Sequence, residues 1–221
     1  MSRTYKWLGG IGYILSFVPY VNFVSSILIA VAWILMGKDT REKVFTVLGI
    51  LMIALFAASI ALVVTIFTSV FTMIPMGGVT PGARFFERIG AFLGALVVVG
   101  GIILGLALAV FILDIVAHFR AAKIFDNKWF KLGGWFRIGE VIALVIAIPL
   151  IVISILSSGF RGFPSAPMAP ELPVGILLSI LWPLAIFLIV ALLATIFSII
   201  AFFTIPEETE GGRQSAYEVE F

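Results

Sequence analysis

The chain has 221 residues, of which 62% are hydrophobic and 12% are charged, with a net charge of +2 and a mean hydropathy of +1.23. Soluble globular chains are roughly 45–50% apolar and about 25% charged, so we expect lipid to surround much of this chain. The lack of cysteine excludes disulfides and thiolate chemistry, the single histidine excludes a His-rich metal site, and the small net charge argues against a nucleic-acid partner.

The first uncharged block, residues 7–37, is too long for one simple membrane span and too short for two full ones. Pro19 lies near its middle, where proline removes a helical hydrogen bond. The block is therefore either one kinked helix or a hairpin that turns back near Pro19. Arg3 and Lys6 precede it as in a signal peptide, but no small-residue cleavage site follows, and we expect the segment to be retained.

Four further apolar blocks predict long transmembrane helices, because lipid leaves unpaired backbone groups without partners. Their predicted limits are residues 44–74, 89–116, 135–156 and 173–204. Two stretches rich in proline and glycine, residues 75–82 and 159–170, predict loops. The expected architecture is one all-α membrane domain over residues 1–206, followed by an acidic tail over residues 207–221.

The distribution of lysine and arginine distinguishes the two forms of the first block. A single span leaves five of these residues on one side of the membrane and nine on the other, whereas a hairpin leaves 11 on one side and 3 on the other. The second distribution fits the positive-inside rule far better. We therefore predict a multi-pass protein of the cell membrane with an N-terminal helical hairpin and both termini in the cytoplasm. Whether the hairpin spans the bilayer or is re-entrant stays open.

Small residues recur on one face of the second long block. They are Gly90, Gly94, Gly101, Gly105 and Ala109. Such faces let helix backbones approach closely in lipid. The pattern indicates either packing inside the bundle, which we favour, or an interface with a second copy or a partner subunit.

Three ionisable residues lie near the cytoplasmic ends of predicted spans. Asp114 and His118 are one helical turn apart, and an interfacial salt bridge of Asp114 with His118, Arg120 or Lys123 is the favoured role. Glu140 is spaced for a local ion pair with Arg137. The alternative is that Asp114, His118 and Glu140 form an ion or proton site, with the two carboxylates facing one cavity.

The segment of residues 119–137, FRAAKIFDNKWFKLGGWFR, alternates basic and aromatic residues. Both types suit the headgroup layer, so we predict a membrane-surface loop or short helix that contacts anionic lipid. The residues that indicate this interfacial role are Arg120, Lys123, Lys128, Trp129, Lys131, Trp135 and Arg137.

Prolines mark three predicted helix kinks, at Pro19, Pro149 and Pro183. On the predicted topology, Pro149 and Pro183 both lie in the outer half of the membrane, where two kinks could line a small cavity. Lone prolines are common in spans, and we favour the simpler interpretation that no cavity forms.

Two segments resemble an archaeal family of small multi-pass membrane proteins of uncharacterised function, described as domain of unknown function 996. Residues 6–38 read KWLGGIGYILSFVPYVNFVSSILIAVAWILMGK, and residues 123–142 read KIFDNKWFKLGGWFRIGEVI. The resemblance implies a membrane bundle from an archaeal source and carries no catalytic residues.

No Ser/His/Asp set, metal cluster or phosphate-cradling loop stands out, so we expect neither an enzyme nor a cofactor. The favoured function is a non-catalytic structural or accessory subunit of a larger membrane complex. Its expected partners are the lipid bilayer and, through the glycine face, a partner protein or a second copy of the chain. The alternative is a small transporter or channel component that moves protons, cations or a small solute.

Overall fold

Helices account for almost all of the chain that the structure describes. The computed structural model describes residues 4–73, 83–159 and 174–207, which form six α-helices and no strand. The helices are α1 (Thr4–Leu15), α2 (Asn22–Thr40), α3 (Lys43–Met73), α4 (Ala83–Ile124), α5 (Lys128–Gly159) and α6 (Val174–Phe203). The predicted all-α fold, with an N-terminal hairpin and four long helices after it, is confirmed. The two predicted loops and most of the acidic tail lie outside the described residues.

Five of these helices, α2 to α6, contain stretches long and apolar enough to cross a membrane. These stretches are Asn22–Thr40, Lys43–Ser69, Phe92–Ile124, Lys128–Ser154 and Leu181–Phe203. Large apolar side chains on them face outward, with Val97 76% exposed and Val145 63% exposed. Exposed apolar surface on this scale is costly in water and favourable in hydrocarbon. The helices are therefore compatible with a multi-pass integral membrane protein.

The chain divides into two compact units. The first contains the described residues up to Ala117 together with Glu207, and the second contains His118–Pro206. Helix α4 contributes to both units, because its last turns, from His118 onward, belong to the second. The single membrane domain predicted for residues 1–206 stays a prediction.

The N-terminal hairpin turns at Pro19. Helix α1 ends at Leu15, α2 begins at Asn22, and Tyr20 between them takes a left-handed backbone conformation with φ of 68°. Proline cannot continue the hydrogen-bond ladder of α1, so the chain reverses there and Pro19 lies in a turn between helices. The Tyr5 hydroxyl at the start of α1 donates to Asp39 Oδ2 near the end of α2, over 2.8 Å.

Glycines bring α2 close to α3 in the first unit. A methyl group at Gly49 of α3 would overlap the backbone carbonyl oxygen of Ala30 in α2. The fully buried rings of Trp33 and Phe45 lie 5.4 Å apart, centroid to centroid, across the same pair of helices. The turn between them contains Arg41 in the left-handed region, with φ of 58°.

The second unit is built on α5 and α6, which pack together, and on the end of α4. Here the limits predicted from the sequence are wrong, because residues 119–137 form neither a surface loop nor a separate short helix. Helix α4 continues to Ile124, and α5 begins at Lys128 after a three-residue turn. Ala121 and Phe130 are fully buried while Arg120 and Lys123 are exposed, so each helix end keeps one apolar face inward. Long cationic side chains allow this because their charged ends reach water while their stems lie along the helix.

Candidate functional site

His118 is buried at the point where α4 enters the second unit. Its side chain has no exposed surface, and its Nε2 atom lies 3.0 Å from the hydroxyl oxygen of Ser198 on α6. The imidazole lies against Gly133 of α5, where a methyl group would be 3.0 Å from His118 Cδ2. Phe130 closes another side, with its ring edge-on to the imidazole at 5.8 Å between centroids. Three helices therefore meet around one polar contact.

The chemistry of the His118–Ser198 contact is that of a structural link. The Ser198 hydroxyl is 2.9 Å from the carbonyl oxygen of Ala194, one helical turn earlier. A hydroxyl has one hydrogen, so if Ser198 donates it to Ala194, then His118 Nε2 carries the hydrogen and donates to Ser198. Ser198 is fully buried as well, so no substrate reaches this pair in the described conformation. The pair holds α4 against α6.

Arg137 and Glu140 form the ion pair that their spacing predicts. The Arg137 Nη1 atom lies 3.1 Å from Glu140 Oε1 and 3.3 Å from Oε2. The side chains are only 16% and 9% exposed, and both residues lie on α5 within its candidate span. The predicted local pair is confirmed. An ion or proton site at Glu140 stays a prediction.

Asn127 fixes the start of α5 to the end of α6. Its Oδ1 atom accepts from the backbone N–H of Trp129 over 3.0 Å, which caps α5. Its Nδ2 atom donates to the carbonyl oxygen of Ala201 and to the hydroxyl of Thr204, both over 3.0 Å. The side chain is 7% exposed, so these bonds form away from solvent. The turn between α4 and α5 is thus held in one position.

A pocket of about 470 Å³ opens at this turn. Lys123, Lys128 and Lys131 line it together with Asp126 and Asn127. Phe119 and Ala122 complete its wall. The three lysines and Asp126 are exposed, so the pocket presents three ammonium groups and one carboxylate to solvent. The sequence indicated an interfacial role for these lysines but not a concave site.

The glycine face of α4 is open toward the rest of the described chain. A methyl group built at Gly90, Gly94, Gly101 or Gly105 would meet no described atom within 4 Å. These glycines are exposed, and Ala109 on the same face is half-buried. The packing inside the bundle that we favoured from the sequence is not seen among the described residues. Both interpretations of the face, packing inside the bundle and an interface with a second copy or a partner subunit, stay predictions.

The remaining predicted site residues are Asp114 and the two prolines inside long helices. Asp114 is half-buried on the part of α4 that belongs to the first unit, whereas His118 and Glu140 belong to the second. A carboxylate pair between Asp114 and Glu140 therefore stays a prediction. Pro149 is exposed inside α5, and Pro183 is buried inside α6.

The interfacial residues of the segment 119–137 divide into two groups. Arg120 and Trp135 are exposed like the three lysines. Trp129 is half-buried and stacks on Phe197 at 5.9 Å between ring centroids, and Arg137 is engaged with Glu140. These last two side chains therefore pack within the second unit.

Sequence reasoning missed Ser198, Asn127 and the close approach at Gly133. One signal was present: His118 directly precedes the predicted surface segment of residues 119–137, and Asn127, Gly133 and Gly134 lie within that segment. A glycine pair at a helix start often marks close packing. No local feature, however, indicates which serine of α6 faces the histidine.

No family model, curated protein or solved structure matches this chain. Among the described residues, no group of three or more His, Cys, Asp and Glu side chains is placed to hold a metal ion. The resemblance to an archaeal membrane family stays a prediction.

Proposed function

We propose that this chain is a non-catalytic accessory subunit of a larger complex in the cell membrane. The observation that carries the proposal is the open glycine face of α4, defined by Gly90, Gly94, Gly101, Gly105 and Ala109. Glycine in a helix interior costs roughly 0.5–1 kcal/mol relative to alanine. In lipid that cost is offset when another backbone packs closely against the glycines.

The dimensions of the glycine face suit a transmembrane helix of a partner subunit. Gly90 and Ala109 are 19 residues apart on α4, which corresponds to about 28 Å along the helix. This matches the roughly 30 Å hydrocarbon core of a bilayer. Residues 89–113 carry no charge, so the face offers nothing to an ionic or polar partner. An apolar helix of spanning length is the occupant that fits.

The proposed orientation places both termini in the cytoplasm. The ion pair between Lys6 Nζ and Glu207 Oε1, 3.4 Å long, supports a common side for the two ends of the chain. The contact between Tyr5 and Asp39 supports a hairpin that enters and leaves on one side, after which four long helices return the chain to that side. The excess of lysine and arginine at these ends supports the cytoplasmic side.

Introduced cysteines test the partner directly, because the chain has none of its own. Gly101→Cys lies on the glycine face. Leu104→Cys, at a position 62% exposed, lies about a quarter of a turn around α4 from the centre of that face and is the matched control. In host membranes we expect Gly101→Cys to cross-link to a different protein of defined mass, identified by mass spectrometry, and Leu104→Cys to give no such product.

The same partner should purify with the unaltered chain at fixed stoichiometry. It should be absent from preparations of the Gly105→Leu variant, because a leucine side chain blocks close packing on the glycine face. Equal cross-linking from both cysteines, or cross-links only to a second copy of this chain, would contradict an accessory-subunit role.

A transporter or channel component is the alternative function. The buried Arg137–Glu140 pair favours it, because ionisable side chains inside spans commonly mark ion or proton paths. A path requires Glu140 to exchange protons or cations during function, whereas an accessory subunit requires only that the pair stabilise α5. Variants at Glu140 therefore separate the two functions.

A further inference from the structure

A pocket opens at the turn between α4 and α5 and is lined by Lys123, Lys128 and Lys131. Its role does not depend on the proposed function. We propose that this pocket binds a phosphate group.

The charge of the pocket selects an anion. Three ammonium groups line it and only one carboxylate, Asp126, opposes them. In the part of the chain that the structure describes, none of the three lysines forms an ion pair with a carboxylate. Their charges are thus available to a ligand. Lysine ammonium groups are common phosphate binders, and each offers three N–H donors to phosphate oxygens.

The shape of the pocket is set before a ligand arrives. Asn127 in its wall is buried, and its side chain bonds to α5 and to the end of α6 at the same time. The Lys128 Nζ atom lies 5.2 Å from the centre of the Trp129 ring, which itself stacks on Phe197 of α6. A wall held this way needs little ordering on binding. Its volume of about 470 Å³ falls in the range of pockets for small ligands.

The position of the pocket suits the headgroup of an anionic lipid, although a free phosphate offers the same chemistry. The candidate spans Phe92–Ile124 and Lys128–Ser154 end and begin at this turn, so the pocket lies at the ends of two spans, where headgroups are found. Apolar atoms of Phe119 and Ala122 in the wall could contact the glycerol region of such a lipid.

Binding is measured on the full-length protein in nanodiscs of phosphatidylcholine with increasing phosphatidylglycerol, by native mass spectrometry of retained lipid. The variant Lys123→Gln/Lys128→Gln/Lys131→Gln removes the three charges of the pocket. The control Lys38→Gln/Arg41→Gln/Lys43→Gln removes three charges around the turn between α2 and α3. We expect the pocket variant to lose phosphatidylglycerol retention at least about tenfold and the control to change it less than about twofold.

The variant Asp126→Asn should change binding in the opposite direction to the triple lysine variant. Asp126 has φ of 45°, a conformation that asparagine also adopts readily, so the turn should be kept. Removal of its negative charge should tighten binding by roughly threefold. Equal losses from both triple variants, or no tightening by Asp126→Asn, would reduce the effect to general surface charge and overturn the proposal.

The source of the phosphate is decided in lipid-free detergent with inorganic phosphate and glycerol 3-phosphate as probes. Binding of these probes that the pocket variant abolishes indicates a soluble phosphate ligand. Retention of phosphatidylglycerol without binding of either probe indicates a lipid headgroup. Failure of all three probes to distinguish the pocket variant from the control contradicts a phosphate site.

Discussion

Glu140 and Arg137 show how an ionic contact is kept inside an apolar helix. Neither charge is exposed by more than 16%, so each depends on the other for part of the solvation it loses. Removal of one partner of a buried pair costs far more than removal of both, because the remaining charge stays buried with fewer favourable contacts. A structural pair therefore predicts a loss of stability when one partner is removed. A proton path does not require such a loss.

Glu140→Gln should lower the free energy of unfolding in detergent by about 3 kcal/mol, and Arg137→Gln/Glu140→Gln should recover most of that loss. Chemical unfolding of the single and double variants in one detergent gives the coupling between the two sites. Additive effects of the two substitutions would contradict a structural pair. A Glu140→Gln protein with unchanged stability but abolished proton or cation flux would support the transporter instead.

For individual side chains, the sequence predicts partners a few residues away but not partners that are distant along the chain. The Arg137–Glu140 pair follows from a spacing of three residues, which a helix brings together. The partner of His118 is 80 residues away, and the Ala201 carbonyl bonded to Asn127 is 74 residues away. Such contacts depend on the rotation of each helix about its axis, which an apolar helix with few polar residues does not encode locally.

Among the helices, α2 and α3 depend on close backbone approach. Gly49 faces the Ala30 carbonyl so closely that a side chain has no room, whereas Gly105 of α4 faces open space among the described residues. Gly49 is therefore required by a contact with α2, whereas Gly105 has no such contact in the part of the chain that the structure describes. The same substitution at the two positions should therefore give opposite results.

Gly49→Ala should destabilise the chain by about 1–3 kcal/mol, because the new methyl group forces α2 and α3 apart. Gly105→Ala should leave stability unchanged or raise it by up to roughly 1 kcal/mol, because alanine favours helix over glycine. Thermal unfolding of both variants in the same detergent checks this. A neutral Gly49→Ala would show that α2 and α3 do not pack at that distance.

Helix existence was easier to predict than helix length. Uncharged blocks located all four long helices, because a span requires about 20 apolar residues. The predicted limits of α4 and α5 are too short, because the basic and aromatic residues of 119–137 are also typical of a membrane-surface loop. Those side chains point outward while Ala121 and Phe130 are buried, so the helices continue. The hairpin at Pro19 was predicted from charge distribution together with proline chemistry.

For the whole molecule, the large apolar surface and the small number of charged residues determine which solvent the chain requires. Only 12% of the residues are charged, and the apolar stretches of α3 to α6 leave most of their surface uncovered by the rest of the described chain. Water makes such surface unfavourable by roughly 25 cal/mol for each Å². Hydrocarbon removes this cost, and the helices satisfy their own backbone groups within it.

The most direct test is the partition of the full-length chain between membranes and water. Membranes of expressing cells are washed at alkaline pH and high salt, and the chain is then followed in the pellet and the supernatant. We predict that it stays in the pellet and enters solution only with detergent. Recovery of a folded, monodisperse chain in buffer without any amphiphile would contradict the membrane assignment on which the proposed function depends.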